Sequence, residues 1–438
     1  MRSGISDITV SFGSRAVVLV LGLAVQSCLA WYLEPDGRGS YAVCMTYTML
    51  LGVCFTFGLD GASQYHVASK KLSVSEGISA MLCLLAVGIF VAIVGGLAAI
   101  NLPLEFFKKA SGTALILSVV SVPLFIWSGA LLLLLAALRE FPCQALLTST
   151  MSFVRLVGTF IAIGLFSWGV IGAVAANMAA LSVTVGLAVA FLLKRHRLHW
   201  VRPSWQRLRD LIGYGGRYYF AAFSTLVNFQ IGAIMVAFFA TEGEIGLFTQ
   251  ITTLVVYVIL VSDVIGGVIH PRMASDRGGR PELAAQGSRM AGYVATGVLV
   301  VLAVFAKPIV AMLFSPKFLP AVPLIWILVP GVIVRASTKV LVHYMSATDR
   351  PGIFSISAIT SAGVNFILLL VLLPTMGLDG AAWAMSIAYL CGGLVLLVAF
   401  RIYSGLSLRR SWLPQRADWD LVLGIIKKAH AKVFGGTE

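Results

Sequence analysis

Long apolar segments recur along the whole chain, and they restrict its fold more than any other feature. A membrane-spanning helix needs roughly 20 mostly apolar residues, and twelve segments meet that requirement. Only 11% of the residues are charged, whereas soluble domains carry roughly 25%. The pattern predicts an all-α polytopic membrane protein with twelve transmembrane helices. These helices are expected near residues 14–33, 39–59, 77–100, 112–137, 145–167, 169–193, 214–239, 246–268, 289–313, 320–345, 352–373 and 379–402.

The first apolar segment, Ala16 to Leu33, follows Arg2 and Arg15 and so resembles a signal peptide. The apolar core of a signal peptide is usually ~7–15 residues long. This segment has 18 residues, enough to cross a hydrocarbon layer of ~30 Å at 1.5 Å per residue. We therefore expect it to be the first membrane helix.

Basic residues are distributed unevenly between the two sides of the predicted membrane. If the N-terminus is cytoplasmic, and residues near the end of a predicted helix are counted with the adjacent side, 24 of the 32 Lys and Arg residues fall on the cytoplasmic side, five fall outside and three fall within helices. Cytoplasmic loops carry such an excess, so both termini are predicted to be cytoplasmic. Topology and attraction to anionic lipids account for the net charge of +14, and no nucleic-acid partner is expected.

Two short matches indicate an internal repeat. The segment beginning at Gly169 resembles the one beginning at Gly377, at an offset of 208 residues, and Gly39 corresponds to Gly246 at an offset of 207. Six helices per repeat give both halves the same orientation, so we expect two six-helix bundles related by a pseudo-twofold axis along the membrane normal. The predicted division is 1–200, 201–405 and a cytoplasmic tail, 406–438, whose amphipathic segment Asp418 to Phe434 lies on the membrane.

Motifs for catalysis or cofactor binding are missing from the sequence. No Gly-Lys pair is present for a P-loop and no His-Glu pair for a zinc-binding helix. The six cysteines contain no C-x-x-C pair. We therefore expect no enzyme activity, no cofactor and no metal, and any transport must be driven by an ion gradient, the membrane potential or the substrate gradient.

Cations within the predicted helices are the main candidate functional residues. Arg or Lys at a helix centre costs ~2.5–3.5 kcal/mol on insertion scales. Arg155 lies midway along the fifth helix, and Arg335, Lys339 and His343 recur every four residues along the tenth, which places them on one helical face. One interpretation is a basic cavity for phosphate groups. The other is that Lys339 and His343 extend toward the cytoplasmic interface.

Polar residues in other helices extend this candidate site. Asp263 in the eighth helix is expected to pair with a buried base or to carry a coupling proton. Gln26, Asn228 and Gln230 are predicted to line a cavity, although interhelical hydrogen bonds are an alternative. Aromatic residues from Tyr214 to Phe220 suit anchoring at the membrane interface or a platform for sugars.

Several segments together resemble the polysaccharide and lipid-linked oligosaccharide flippases (Wzx type) of the MOP exporter superfamily. These segments are Leu33 to Tyr41, Gly58 with Leu59, Leu313 to Ala321, Ser346 to Gly352, and Asn365 followed by Pro374 and Gly380. The resemblance implies two six-helix bundles around a cationic cavity that opens alternately to each side. It also implies transport of an undecaprenyl-pyrophosphate-linked oligosaccharide from the cytoplasmic to the outer leaflet of a bacterial inner membrane.

In that resemblance, the diphosphate would meet Arg155, Arg335 and Lys339, and the lipid tail would stay in the bilayer. Other polysaccharide-assembly proteins are possible partners. The chain departs from the family at Gln230, where relatives often have Asp, and at His66, where Arg is common. Three alternatives are a MATE-like antiporter, a major-facilitator transporter and, from a different class, a polysaccharide polymerase or ligase.

Overall fold

The computed structural model describes residues 2–196, 201–274, 281–348 and 352–407, together with Arg350, Arg409, Trp412 and Gln415. Some side chains within these ranges, including those of residues 224–229 and 263–265, lie outside the description. So does the predicted amphipathic segment of the tail. Throughout the described residues the regular structure is helical, as the sequence predicts. The helices are α1 (Arg2–Thr56), α2 (Leu59–Ala68), α3 (Val74–Ile100), α4 (Glu105–Lys108), α5 (Gly112–Ala137), α6 (Phe141–Thr159), α7 (Gly169–His196), α8 (Trp205–Phe239), α9 (Glu242–Ala274), α10 (Pro281–Val304), α11 (Ala306–Phe314), α12 (Val322–Ala347) and α13 (Gly352–Ser404), with a π turn at Phe160–Leu165 and a 3₁₀ turn at Pro316–Ala321.

Two of these helices are too long for a single crossing, and each is broken near its middle. Helices α1 and α13 contain 55 and 53 residues, about 80 Å each at 1.5 Å per residue. Glu34 in α1 (φ 59°) and Gly377 in α13 (φ 59°) have left-handed, non-helical backbones. Pro35 follows the first break, and proline suits the first position of a new helix because its missing N–H is not needed there.

Within the described residues, nine helices are long and apolar enough to cross a membrane, including both broken ones. The predicted total of twelve requires counting both sides of each break and adding α8, and it stays a prediction. A multi-pass membrane protein is confirmed. Exposed apolar side chains support the same conclusion: Val87 and Phe90 of α3 are 64% and 67% exposed, which suits contact with lipid chains.

The two glycines of the predicted repeat have the same backbone conformation. Gly169 and Gly377 both have left-handed φ angles, 57° and 59°. Three residues after each, a glycine packs closely against the preceding turn. A Cβ built on Gly172 would lie 2.8 Å from the Cβ of Trp168, and one built on Gly380 would lie 3.0 Å from the Cβ of Met376. The offset of 208 residues therefore relates two turns of the same geometry, as duplication predicts.

The chain divides into two compact units, described here separately. Unit 1 comprises residues 1–254, 307–324 and 366–381, and unit 2 comprises 255–306, 325–365 and 382–438. In unit 1, Leu131, Leu135 and Leu192 belong to a buried cluster of α2, α3, α5, α7 and α8. In unit 2, Leu341, Tyr344 and Phe400 form a smaller core with α10. The predicted six-plus-six division stays a prediction.

Candidate functional site

A close crossing of α1 and α9 forms the framework of the candidate site in unit 1. A Cβ built on Gly39 would lie 1.8 Å from the carbonyl oxygen of Glu242, and one built on Gly246 would lie 1.9 Å from the carbonyl oxygen of Pro35. No side chain fits at either position, so glycine is required for this approach. Gly39 and Gly246 are the second pair of the predicted repeat, and the fold brings them into contact.

Arg38 lies beside this crossing and joins three segments by hydrogen bonds. Its Nε donates to Oε1 of Gln250 (2.6 Å) and its Nη2 donates to Oε1 of Gln26 (2.9 Å). Gln250 in turn donates from Nε2 to the carbonyl oxygen of Gln26 (3.3 Å). Arg38 is 4% exposed and Gln250 is fully buried. The buried guanidinium of Arg38 is therefore held by two amide acceptors, Gln26 from α1 and Gln250 from α9.

Arg38 falls between the predicted helices 14–33 and 39–59 and is one of the five basic residues predicted to lie outside, but the structure shows that it does not lie in a loop. The predicted helices leave residues 34–38 as a loop, but the helix breaks only at Glu34 and resumes at Pro35. Arg38 thereby falls on the first turn of the second segment of α1. Its side chain points into the helical packing instead of into solvent.

Further contacts link the region around the break in α1 to other parts of unit 1. The hydroxyl of Ser40 donates to Oε2 of Glu242 (3.1 Å). Lys317 forms an ion pair with Glu34, and Nε1 of Trp31 donates to the carbonyl oxygen of Met312 (3.3 Å). The region around the break in α1, which belongs to the predicted first half of the chain, thus contacts segments of the predicted second half.

Arg155 approaches the same cluster from α6. Its Nη2 donates to the hydroxyl oxygen of Tyr41 (2.8 Å), and Cζ of Arg38 lies 5.6 Å from the centre of the Tyr41 ring, within the range of a cation–π interaction. Tyr41 therefore contacts both arginines, one through its hydroxyl and the other through its ring. The structure brings Arg155 and Gln26, two predicted site residues, into one connected group.

The cations predicted on the tenth span lie in unit 2, on α12. Arg335 is 4% exposed, and its Cζ lies 5.8 Å from the centre of the Tyr389 ring. Lys339, one turn along, is half-buried. His343, a further turn along, packs against Gly266, on which a Cβ would lie 2.2 Å from the imidazole. Arg335 therefore points into the protein and not into surrounding lipid.

The remaining predicted site residues are not joined to the arginine cluster by described contacts. Gln230 donates from Nε2 to the sulfur of Met49 (2.8 Å). The side chains of Asn228 and Asp263 lie outside the described part of the structure. In the described residues, no group of three or more His, Cys, Asp or Glu side chains has metal-binding geometry.

Three members of the cluster were missed by sequence reasoning: Arg38, Tyr41 and Gln250. The one local signal that could have placed Arg38 inside the protein is Pro35, which favours a helix that restarts there. The pairing of Arg38 with Gln250 joins residues 212 positions apart and has no local sequence signal.

Comparisons with known proteins agree with this architecture. A family model described as polysaccharide biosynthesis protein matches residues 28–323, and no curated protein matches the sequence significantly. The fold is similar to that of the lipid II flippase MurJ in an inward closed conformation (TM-score 0.74, 15% identity, 98% of each chain covered). It is also similar to an inward-facing multidrug resistance MATE family transporter of the MOP superfamily (TM-score 0.67, 14% identity, 92% of this chain and 99% of that chain). A third similar structure is a MOP superfamily transporter from Pyrococcus furiosus (TM-score 0.61, 16% identity, 90% and 96% covered). The predicted all-α membrane fold is confirmed and is similar to that of MOP superfamily transporters, whereas the arrangement of twelve helices in two bundles stays a prediction.

Proposed function

Because this chain belongs to the polysaccharide biosynthesis protein family, we propose that it flips a lipid-linked oligosaccharide across a membrane. The substrate that we propose is an undecaprenyl-pyrophosphate-linked repeat unit, moved from the cytoplasmic to the outer leaflet of a bacterial inner membrane. The protein would act by alternating access, without catalytic chemistry. Both termini are proposed to be cytoplasmic, as the distribution of basic residues predicts.

The observation that carries this proposal is the arginine cluster of unit 1, in which Arg38 is buried and Arg155 is half-buried. Arg38 and Arg155 are placed in an apolar helical protein, where a charged side chain is costly and is by default a functional candidate. Both contact Tyr41. Arginine suits phosphate because its planar group presents several N–H donors in a fixed geometry. A travelling diphosphate is the anion that a flippase of this family would have to accommodate.

Further roles are proposed for individual residues, from the resemblance and from the positions of polar residues within the predicted helices. Arg155, Arg335 and Lys339 are proposed to bind the diphosphate, and Gln26, Asn228 and Gln230 are proposed to contact the polar part of the substrate. Asp263 is the proposed ion-coupling residue. No cofactor or metal is included in the mechanism.

Contacts at the α1–α9 crossing support the alternating-access part of the proposal. Gly39, Ser40 and Arg38 belong to the predicted first half, and their partners Gly246, Glu242 and Gln250 belong to the predicted second half. A transporter that opens alternately must break contacts of this kind at one end when it opens there. The hydrogen bonds are short-range and reversible, which suits a contact that separates in each cycle.

A complementation experiment tests the proposal. The variants Arg155→Ala, Arg335→Ala and the double variant are expressed at matched levels in the native host lacking its own copy, and surface polysaccharide is measured. We expect strong loss of polysaccharide in the double variant and normal levels in Arg401→Ala, which removes an exposed cation at the end of α13. Unchanged polysaccharide in the double variant would contradict the diphosphate site.

A MATE-like antiporter is the second candidate, and the similarity to the MATE structures favours it over the major-facilitator and polymerase alternatives. A transport assay with the purified protein in liposomes distinguishes the two candidate functions. Translocation of a fluorescent undecaprenyl-pyrophosphate-linked sugar, without efflux of cationic dyes, supports the flippase. Dye efflux without translocation of the lipid-linked sugar supports the antiporter.

A further inference from the structure

A polar cavity of about 960 Å³ opens in unit 1 between the end of α2 and the start of α8. It shares no residue with the arginine cluster or with the proposed substrate ligands. The residues from Tyr65 to Leu72 lie between the candidate membrane spans that end at Thr56 and begin at Val74, so the cavity is placed at a membrane boundary. Its lining is Tyr65, His66, Lys71, Leu72, Ser204, Gln206, Arg207, Arg209, Asp210, Gly213 and Tyr214.

Cations and aromatic rings dominate this cavity. Lys71, Arg207 and Arg209 are opposed in the lining by one carboxylate, that of Asp210. Arg207 also pairs with Glu76 at the start of α3. The rings of Tyr65 and Tyr214 are stacked, with centres 4.4 Å apart and planes 8° from parallel, and Nζ of Lys71 lies 5.2 Å from the centre of the Tyr65 ring. The stacked rings form one wall of the cavity beside the cationic side chains.

His66 supplies a polar atom that the surrounding protein does not satisfy. Its Nε2 is buried and, within the described part of the chain, has no hydrogen-bond partner. Burial lowers the pKa of His66, the charge of Lys71 lowers it further, and Asp210 acts in the opposite direction. Buried polar atoms in proteins are almost always paired, so an unpaired nitrogen beside a basic cavity points to a ligand with hydrogen-bonding oxygens.

An apolar groove of about 420 Å³ adjoins the cavity. It runs between α3, α5 and α7 and is lined by Ile78, Leu82, Trp127, Val189 and other residues of these helices. Leu72 of the cavity and Ser75 of the groove are three residues apart, and Glu76, which follows Ser75, pairs with Arg207 of the cavity. The amide of Val201 donates to the hydroxyl of Ser79 in the groove (3.1 Å), just before Ser204 joins the cavity lining.

We infer that this pair of sites binds one anionic phospholipid of the surrounding leaflet, with its phosphate in the cavity and an acyl chain in the groove. A basic pocket at a helix boundary is the usual site for an anionic headgroup, and the groove lies on three candidate membrane spans. A soluble phosphate would bind in the cavity only and would leave the apolar groove unoccupied. On the predicted topology, the lipid comes from the cytoplasmic leaflet. This inference goes beyond the proposed transport function, because the lipid is bound and not carried.

The test uses the full-length protein, purified in detergent and freed of lipid. Native mass spectrometry measures binding of phosphatidylglycerol, of phosphatidylcholine with the same acyl chains, and of inorganic pyrophosphate. Lys71→Gln with Arg209→Gln removes two cavity charges, and Val189→Trp fills the groove. The matched controls are Lys108→Gln with Lys109→Gln, which removes two charges elsewhere, and Val183→Trp, since Val183 and Val189 of α7 are similarly exposed (37% and 38%) but only Val189 lines the groove.

We expect phosphatidylglycerol to bind more tightly than phosphatidylcholine, and its affinity to fall about tenfold or more when the two charges are removed. Val189→Trp should also weaken binding, and both controls should bind as the unaltered protein does. Thermal unfolding temperatures near those of the controls show that each variant is folded. Equal binding of the two lipids, or unchanged binding in both test variants, overturns the inference. Pyrophosphate binding as tight as that of the lipid also overturns it and identifies a site for a soluble anion.

Discussion

Replacing Gly39 by alanine tests the close crossing of α1 and α9. The added Cβ would lie 1.8 Å from the carbonyl oxygen of Glu242, whereas the shortest ordinary carbon–oxygen contacts are about 3.3 Å. The two helices must therefore separate by about 1.5 Å at this point. Such a shift also stretches the hydrogen bond from Ser40 to Glu242, which is 3.1 Å long. Neither partner of the clash can move aside by rotating a side chain, because the obstacle is backbone.

The expected cost follows from these contacts. Overpacking of this kind costs about 1–3 kcal/mol, and a stretched hydrogen bond adds up to about 1 kcal/mol. Against this, alanine gains up to about 1 kcal/mol over glycine in a helix. The free energy of unfolding should therefore fall by about 1–3 kcal/mol in Gly39→Ala. Gly186→Ala is the matched control, because Gly186 lies within α7 and no atom is within 4 Å of a Cβ built there.

The measurement is unfolding in sodium dodecyl sulfate, followed by far-ultraviolet circular dichroism. Gly39→Ala should unfold at lower detergent fraction than the unaltered protein, and Gly186→Ala at an equal or higher fraction. The double variant Gly39→Ala with Gly246→Ala should lose less than the two single losses added together, because one separation of the helices relieves both clashes. Additive losses, or a Gly39→Ala protein as stable as the control, would refute the close crossing.

Three further predictions concern single side chains. Gln250→Leu removes an acceptor from the buried Arg38 and should reduce the free energy of unfolding by about 1.5–3 kcal/mol, while Gln250→Glu, which keeps the acceptor, should lose less in the same unfolding measurement. Tyr41→Phe removes the hydroxyl that accepts from Arg155 but keeps the ring beside Arg38; a loss of about 1 kcal/mol is expected, and no change would show that the hydrogen bond is not formed. The pKa of His66 is lowered in the folded protein, so between the folded and unfolded pKa values the unfolded chain binds more protons. The contribution of His66 to the free energy of unfolding is therefore fully present above about pH 6.5 and is lost as the pH falls through the folded-state pKa. Unfolding measured from pH 7.5 to 5 should show this loss, and His66→Gln should reduce the slope.

The sequence predicted the helices well because each one is a local property of apolar composition. The segment Gly112–Ala137, for example, coincides with the predicted fourth span. The breaks between helical segments were harder to predict, because a break can consist of a single residue. At Glu34 the chain leaves the helical conformation for one position, whereas the predicted helices leave all of residues 34–38 as a loop. That error moved Arg38 from the interior to an outer loop.

The candidate site could be predicted only in part, for a related reason. Arg155 and Arg335 were identified because a cation within an apolar segment is unusual in itself. Their partners could not be identified in that way, since Tyr41 and Tyr389 are ordinary residues of a membrane helix. The contacts of Arg155 with Tyr41 and of Arg38 with Gln250 depend on how distant helices pack. That packing depends on positions such as Gly39, where the absence of a side chain allows two helices to approach closely.

The reciprocal contacts at the crossing explain why the short glycine matches were informative. The Cβ of a residue at Gly39 would meet the carbonyl of Glu242, and the Cβ of a residue at Gly246 would meet the carbonyl of Pro35, at 1.8 and 1.9 Å. Pro35 and Glu242 are themselves separated by 207 residues, the offset between the two glycines. A shift of 207 residues therefore turns the contact of Gly246 with Pro35 into the contact of Gly39 with Glu242. Such an exchange of equivalent contacts requires a local twofold axis between the two helices. Glycine is therefore required at both positions, since a side chain at either one would push apart the same two helices.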